Sequence, residues 1–223
     1  MDRFEQNWKG INMVASKPLW TPAQDRVEKC RMTEFARLSG EKFEDFEALH
    51  RWSCKSGGAF WNALWDYAGV FGEKGERVVT DEDKMPGASY FPDAKLNYAE
   101  NLLRLKGDAE ALVFRAEDKL ERRVSWDELH ALTSRFQQAF ANKGVKKGDR
   151  VAARMPNMPE TIAAMLAVTS IGAVWSSCSP DFGINGVFDR FGQIQPKILI
   201  ATDGYFYNGK TLNTMDRVKE ISE

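Results

Sequence analysis

The segment from Gly204 to Thr211 has the residue types and spacing of a phosphate-binding loop. Its letters, GYFYNGKT, satisfy the pattern G-x-x-x-x-G-K-[ST], and it follows a predicted strand and precedes a possible helix. In such a loop, the backbone amides and the lysine surround the phosphates of a nucleotide. Here, however, the interior positions, which are usually small, carry Tyr205, Phe206 and Tyr207, and no later segment supplies an acidic strand for magnesium. A tyrosine-rich surface turn is therefore a better interpretation than a nucleoside-triphosphate site.

Other reactive residue types are too scattered to predict a catalytic or metal site. His50 and His130 lie in predicted helices without a second ligand nearby in sequence, so each is expected to be structural. The three cysteines, Cys30, Cys54 and Cys178, are odd in number and far apart, which predicts neither a disulfide framework nor a zinc site. The sequence thus predicts no catalytic residue and no metal ligand, and a cytoplasmic protein.

The charge balance excludes several classes of partner. Lys plus Arg number 31 and Asp plus Glu 32, for a net charge of −1, so no overall field attracts nucleic acid or an acidic membrane surface. Residues 1–5 include the acidic Asp2 and Glu5 where a signal peptide would need a basic stretch and then an apolar run, so no signal peptide is predicted. The most apolar window, 161–175, is too short to span a bilayer.

The first half of the chain is predicted to form a helical cap region over residues 1–105. Helices are predicted from Thr21-Pro22 to about Gly40, over 43–52, after an N-cap at Ser56, and over 96–105. The segment 80–92, which is charged and contains Pro86, Gly87 and Pro92, is predicted to be a loop.

The second half, residues 106–223, alternates between strand and helix patterns. A hairpin over 111–125 precedes a helix that starts with capping-box spacing between Ser125 and Glu128. Apolar strands at 150–154, 173–177 and 197–201 are separated by helical segments at 162–171 and 185–194, and another helix begins within 211–223. This pattern predicts an α/β fold: a helical N-terminal cap followed by part of a doubly wound, mainly parallel sheet with helices on both faces.

Such a sheet predicts where a ligand binds. Open α/β sheets bind ligands beyond the carboxyl ends of their parallel strands. In this sequence the corresponding loops are 155–158, 178–183 and 202–210. An incomplete sheet would also leave an open strand edge, which predicts self-association.

Several of these stretches together resemble the adenylate-forming acyl-CoA synthetases. The resemblance is carried by Gly144 to Asn157 (GVKKGDRVAARMPN), Ser170 to Trp175 (SIGAVW) and Pro92 to Leu102 (PDAKLNYAENL), and it covers nearly the whole chain. The run Trp175 to Gly183 (WSSCSPDFG), together with Tyr205 to Lys210 (YFYNGK), is most similar to the branch of the family that activates acetoacetate.

The resemblance implies a two-step ligase reaction. In this family a carboxylate attacks the α-phosphate of Mg-ATP to form an acyl-adenylate, and the thiol of CoA then displaces AMP. ATP, Mg2+, CoA and acetoacetate are therefore the implied cofactors and substrates. The family's Ser/Thr/Gly-rich phosphate loop and its C-terminal catalytic lysine are not found in this sequence. We therefore expect the chain to be the N-terminal portion of a longer ligase and to be inactive alone.

The resemblance further implies a CoA-binding role for part of this chain. Related short-chain synthetases contact the nucleotide end of CoA with an Arg-x-x-Arg pair, which corresponds here to Tyr207 and Lys210. A lysine can bind phosphate as a point charge, and a tyrosine can stack on adenine. The expected CoA-binding residues are Ser179, Pro180, Asp181, Arg190, Tyr207, Asn208, Gly209 and Lys210.

Three alternatives stay open at this point. The chain could belong to another short-chain acyl-CoA synthetase with a different acid. It could be a non-catalytic module that binds CoA or another nucleotide. A phosphate-loop ATPase is the least favoured of the three.

Overall fold

The computed structural model describes residues 18–222, which form two compact units. The first comprises residues 18–69 and Val78–Tyr90, and the second comprises Val70–Arg77 and residues 91–222. The predicted boundary between a helical cap region and an α/β region at 105/106 stays a prediction from the sequence pattern. The predicted absence of a signal peptide concerns residues 1–5, which lie outside the described part of the chain.

The first unit is mainly helical. Its elements are helices α1 (Gln24–Glu28), α2 (Arg31–Leu38), α3 (Phe46–Lys55) and α4 (Gly57–Ala68), and the paired two-residue strands β1 (Val79–Thr80) and β2 (Ser89–Tyr90). Aromatic rings form its interior: Phe35 packs edge-on against Phe60 and Tyr67, with ring centroids 5.7 and 5.4 Å apart.

The helix predicted from Thr21 to about Gly40 is in fact two helices. Cys30 separates them, because its extended backbone starts a new helix and its Sγ accepts a hydrogen bond from the Thr33 amide at 3.4 Å. Ser56 lies at the N-cap position of α4 as predicted, but its side chain makes no cap hydrogen bond.

The second unit begins with a short helix and a hairpin. Helix α5 (Tyr98–Leu102) is shorter than the predicted 96–105, and strands β3 (Glu110–Ala116) and β4 (Leu120–Ser125) pair antiparallel as predicted. The capping box that starts α6 (Trp126–Asn142) is confirmed: the Glu128 amide donates to Ser125 Oγ at 3.2 Å, and the Ser125 amide donates to Glu128 Oε2 at 2.8 Å.

A parallel sheet forms the centre of this unit. Its strands are β5 (Arg150–Arg154), β6 (Val174–Cys178) and β7 (Ile198–Ala201), in the order β6-β5-β7, and the connecting helices are α7 (Pro159–Ser170) and α8 (Ile184–Ile194). The chain continues through strands β8 (Gly204–Tyr207) and β9 (Lys210–Asn213) to helix α9 (Met215–Ser222).

The sheet is buried on both faces, which confirms the predicted fold class. Val151 belongs to a core cluster with Phe140 of α6 and Val168 of α7, whereas its neighbour Ala152 packs with Val187 and Phe191 of α8. Because successive strand residues point to opposite faces, these two clusters lie on opposite sides of the sheet. Within residues 18–222, no helix is long and apolar enough to cross a membrane.

Candidate functional site

The three parallel strands end level with one another. In register, Arg154 at the end of β5 lies between Cys178 of β6 and Ala201 of β7. The three loops that the sequence predicted for ligand binding therefore leave the same edge of the sheet. A hydrogen bond of 3.2 Å from the Met155 amide to the Cys178 carbonyl connects the first two of these loops.

Two of the predicted binding segments are joined by a hydrogen bond. The hydroxyl of Tyr205, on β8, donates to Asp181 Oδ1 at 2.5 Å, and the Ser179 hydroxyl donates to Asp181 Oδ2 at 2.9 Å. The Tyr205 bond, and after it the Ser179 bond, lower the pKa of the Asp181 carboxyl, while the same bond to Asp181 raises the pKa of Tyr205. Asp181 is thus a carboxylate at neutral pH.

The segment 202–210, predicted to be a loop, is mostly a hairpin, so that prediction was wrong. Asn208 and Gly209 have positive φ values of 50° and 72° and form the two-residue turn between β8 and β9. Asn-Gly is the pair that such a turn favours, so the signal was present in the sequence. Gly204 is required within the strand, because a Cβ there would lie 2.8 Å from the Leu212 carbonyl oxygen.

This hairpin excludes the phosphate-loop alternative. A phosphate loop leads into a helix at its lysine, but Lys210 begins strand β9, and α9 starts only at Met215. The tyrosine-rich surface turn is the interpretation that the geometry supports: Phe206 is 37% and Tyr207 59% exposed.

Lys210 and its neighbours present polar groups on the surface. Lys210 is exposed and makes no ion pair with any residue of the described part of the chain. The Gly209 amide, next to it, donates to Glu117 Oε2 at 2.9 Å, which joins the turn of the β8–β9 hairpin to the turn of the β3–β4 hairpin.

A cavity of about 410 Å3 lies between these two hairpins and the ends of β5 and β7. Its lining includes Phe114 to Glu117, Pro156 to Met158, and Thr202 to Tyr207. Of the predicted site residues only Tyr207 lines this cavity. The contribution of β3 to the cavity was not predicted, because nothing local in the sequence relates β3 to residues about 90 positions later.

Arg190, a predicted phosphate contact, lies on α8. Its guanidinium carbon is 4.1 Å from the centroid of the Phe182 ring, and its Nη1 donates to the Gly186 carbonyl at 2.9 Å. The side chain is exposed beside the 179–183 loop, so the phosphate contact stays a prediction.

Other polar residues are accounted for by structural contacts. Burial raises the pKa of the Cys178 thiol, which is therefore neutral. Two arginines on β4 are engaged in ion pairs: Arg122 with Glu160 at 2.6 Å, and Arg123 with Glu110 at 2.5 Å. Among residues 18–222, no group of three or more His, Cys, Asp and Glu side chains could hold a metal ion.

One buried charged side chain at this edge of the sheet was not predicted. Arg154 is completely buried, and its Nη2 donates to the carbonyl oxygens of Pro180 and Phe182. No sequence signal distinguished this arginine from an ordinary charged residue at a strand end.

Comparisons with known proteins match nearly the whole chain. Residues 100–222 match the family described as AMP-binding enzyme, and residues 46–102 match that described as acetyl-coenzyme A synthetase N-terminus. Among curated proteins, the chain is 54% identical over 215 residues to an acetoacetyl-coenzyme A synthetase of Rhizobium meliloti (strain 1021). This alignment covers 95% of this chain and 33% of that protein. The chain is 39% identical over 211 residues to an acetoacetyl-CoA synthetase of Macaca fascicularis, covering 91% of this chain and 31% of that protein.

A solved structure is also similar. The acetoacetyl-CoA synthetase from Streptomyces lividans superposes with a TM-score of 0.86 at 38% identity, covering 92% of this chain and 33% of that one. The chain therefore spans about a third of the length of the relatives that it matches.

Proposed function

The chain belongs to the AMP-binding enzyme family, and from this premise we propose that it is part of an acetoacetyl-CoA synthetase, a cytoplasmic ligase that joins acetoacetate to CoA at the expense of ATP. The identity to proteins of that name supports the choice of acid over other short-chain acids. The whole reaction belongs to a protein about three times as long.

The proposed reaction overcomes the poor reactivity of a carboxylate. Attack of the acetoacetate carboxylate on the α-phosphate of ATP gives an acyl-adenylate and pyrophosphate. The CoA thiol then attacks the activated carbonyl, and AMP leaves. Magnesium would neutralise the phosphate charges, but the described residues offer no suitable ligand cluster, so we assign no step to it in this chain.

The role that we propose for this chain is to bind the nucleotide end of CoA. The observation that carries it is the hydrogen bond between Tyr205 and Asp181, which holds the 179–183 loop beside the hairpin bearing Tyr207 and Lys210. Lys210 offers an ammonium group that is not engaged in an ion pair among residues 18–222, and Tyr207 offers an exposed ring. A phosphate and an adenine are the groups that such a pair would recognise.

Calorimetric titration with CoA tests this role. We expect Lys210→Ala to weaken CoA binding about tenfold, as loss of a charge-assisted phosphate contact of about 1.4 kcal/mol would do. The matched control is Lys143→Ala, which removes an exposed lysine at the C-cap of α6. Equal affinities of the wild-type chain and Lys210→Ala would remove Lys210 from the site.

A second measurement separates the ligase proposal from a non-catalytic binding module. Because the chain spans about a third of its relatives, we expect the 223-residue chain to bind CoA but to release no pyrophosphate from ATP and acetoacetate. Steady pyrophosphate release would contradict the proposal that this chain binds CoA but does not form the acyl-adenylate. Pyrophosphate release that appears when the chain is extended to the length of its relatives would support the ligase, and its failure to appear would favour the binding module.

A further inference from the structure

Arg154 occupies an unusual position for a charged residue. It is the last residue of the central strand β5, and none of its surface is exposed. Because strand side chains alternate, Arg154 lies on the same face as Ala152, which is the face that α8 covers. The arginine is therefore directed into the protein, towards the loop that precedes α8.

The contacts of this guanidinium go to one loop. Nη2 donates to the Pro180 carbonyl, and its distance to the Phe182 carbonyl oxygen is 3.4 Å. Nε and Nη1 have no hydrogen-bond partner within residues 18–222. The nearby Asp181 carboxylate is hydrogen-bonded to Tyr205 and Ser179, and Arg154 affects its pKa only through a weaker electrostatic attraction.

Stability alone does not explain such an arrangement. Burying a cation without an ion pair is costly, and an apolar side chain of similar volume is often as stabilising or more so at such a site. The two donors without partners add to that cost. The burial of Arg154 is therefore explained by its hydrogen bonds to the Pro180 and Phe182 carbonyls, which hold the 179–183 loop in place.

Packing also holds the inner side of the loop, because Pro180 is fully buried and Phe182 packs against the core cluster of α8, but the described residues offer the Pro180 carbonyl no other polar partner than Arg154. The loop leads into α8 through Gly183, whose N-cap position has no side-chain hydrogen bond, and a Cβ at Gly183 would meet nothing within 4 Å. On its outer side, Asp181 is bonded to Tyr205. Arg154 thus fixes the inner carbonyl groups while Tyr205 fixes the outer carboxylate.

We propose that Arg154 is a positioning residue, which fixes the 179–183 loop in the conformation that binds CoA. The reference to CoA rests on the proposed function, whereas the effect on the loop does not. The guanidinium suits this task because its Nη2 alone can reach carbonyl oxygens two residues apart.

Hydrogen–deuterium exchange of the unliganded chain tests the effect on the loop. The variant is Arg154→Met, which keeps an unbranched apolar side chain but removes the donors. We expect the amides of residues 181–183 to exchange about tenfold faster, while those of β5 keep their protection and the thermal midpoint stays within about 3 °C of wild type. With CoA, we expect the same variant to bind about tenfold more weakly.

The chain offers a matched control at the other end of the same strand. Arg150 lies on the same face as Arg154, and its Nε donates to the Ile194 carbonyl, at the far end of α8, at 2.8 Å. Arg150→Met also removes an arginine–carbonyl contact, so we expect it to leave exchange in the 181–183 segment unchanged.

Two results would overturn the proposal. One is unchanged exchange of the loop in Arg154→Met. The other is a large fall in the thermal midpoint with faster exchange throughout β5, which would make Arg154 a structural core residue. If Arg154→Met does not fold, Arg154→Lys is measured instead; we expect intermediate exchange because lysine lacks the planar fork, and wild-type exchange would overturn the proposal. If the wild-type chain fails to bind CoA, the proposed function fails, but exchange in the unliganded loop still decides the role of Arg154.

Discussion

Removing the hydroxyl of Tyr205 tests the contact that joins the two candidate CoA-binding segments. In Tyr205→Phe the ring stays, but the 2.5 Å hydrogen bond to Asp181 is lost. A hydrogen bond to a charged group contributes about 1.5–3 kcal/mol when it is shielded from water. Asp181 is exposed, so solvent screening reduces this to about 1 kcal/mol. We expect the thermal midpoint to fall by about 2–4 °C, the shift that 1 kcal/mol produces in a chain of this size.

The pH dependence of that difference follows from the two pKa values. The bond to Tyr205 lowers the pKa of Asp181 below its ordinary value of 3.8, so its stabilisation is fully present above that pH and is lost as the pH falls through the lowered pKa. The pKa of Tyr205 is raised above its ordinary value of 10.0, so the stabilisation is also lost as the pH rises through the raised pKa. The wild-type chain should therefore exceed Tyr205→Phe in stability between these limits.

Differential scanning calorimetry across pH, with carbon NMR of the Asp181 carboxyl, measures both effects. The NMR titration should show the pKa of Asp181 rising towards its ordinary value in Tyr205→Phe. Tyr207→Phe is the matched control, because Tyr207 is on the same strand and its hydroxyl makes no hydrogen bond within residues 18–222. An unchanged Asp181 pKa in Tyr205→Phe, or equal midpoints for the two variants, would refute the reasoning.

Two further predictions concern the core and the sheet edges. Leu166 is 2% exposed in the core cluster that includes Val124 and Leu129, so Leu166→Ala should lower the free energy of unfolding by about 3 kcal/mol in urea titrations. The control Leu105→Ala, at a 58% exposed position, should change that free energy by less than about 0.5 kcal/mol. Similar losses in both variants would contradict the observed packing of Leu166. The outer strands β6 and β7 each leave one edge without a strand partner among the described residues. Sedimentation velocity should therefore show self-association that increases with concentration, and Val174→Lys on β6 should weaken it. A single monomeric species at all concentrations would contradict the second of these predictions.

The sequence alone determined the main features of the second unit, because they depend on local patterns. Apolar runs separated by helical periodicity gave the three parallel strands, and the spacing of Ser125 and Glu128 gave the start of α6. The Asn208-Gly209 turn is also a local pattern, since Asn-Gly favours a two-residue hairpin turn, although the segment 202–210 was predicted to be a loop.

Only the tertiary structure decided how the candidate site is held together. The partner of Asp181 is 24 residues away, and the carbonyl groups that Arg154 reaches are 26 and 28 residues away. These contacts arise because parallel strands bring the loops at their carboxyl ends to one edge, whatever the separation in sequence. The burial of Arg154 likewise depends on α8 covering that face of the sheet. An arginine at the end of a strand looks the same in the sequence whether it lies in water or beneath a loop.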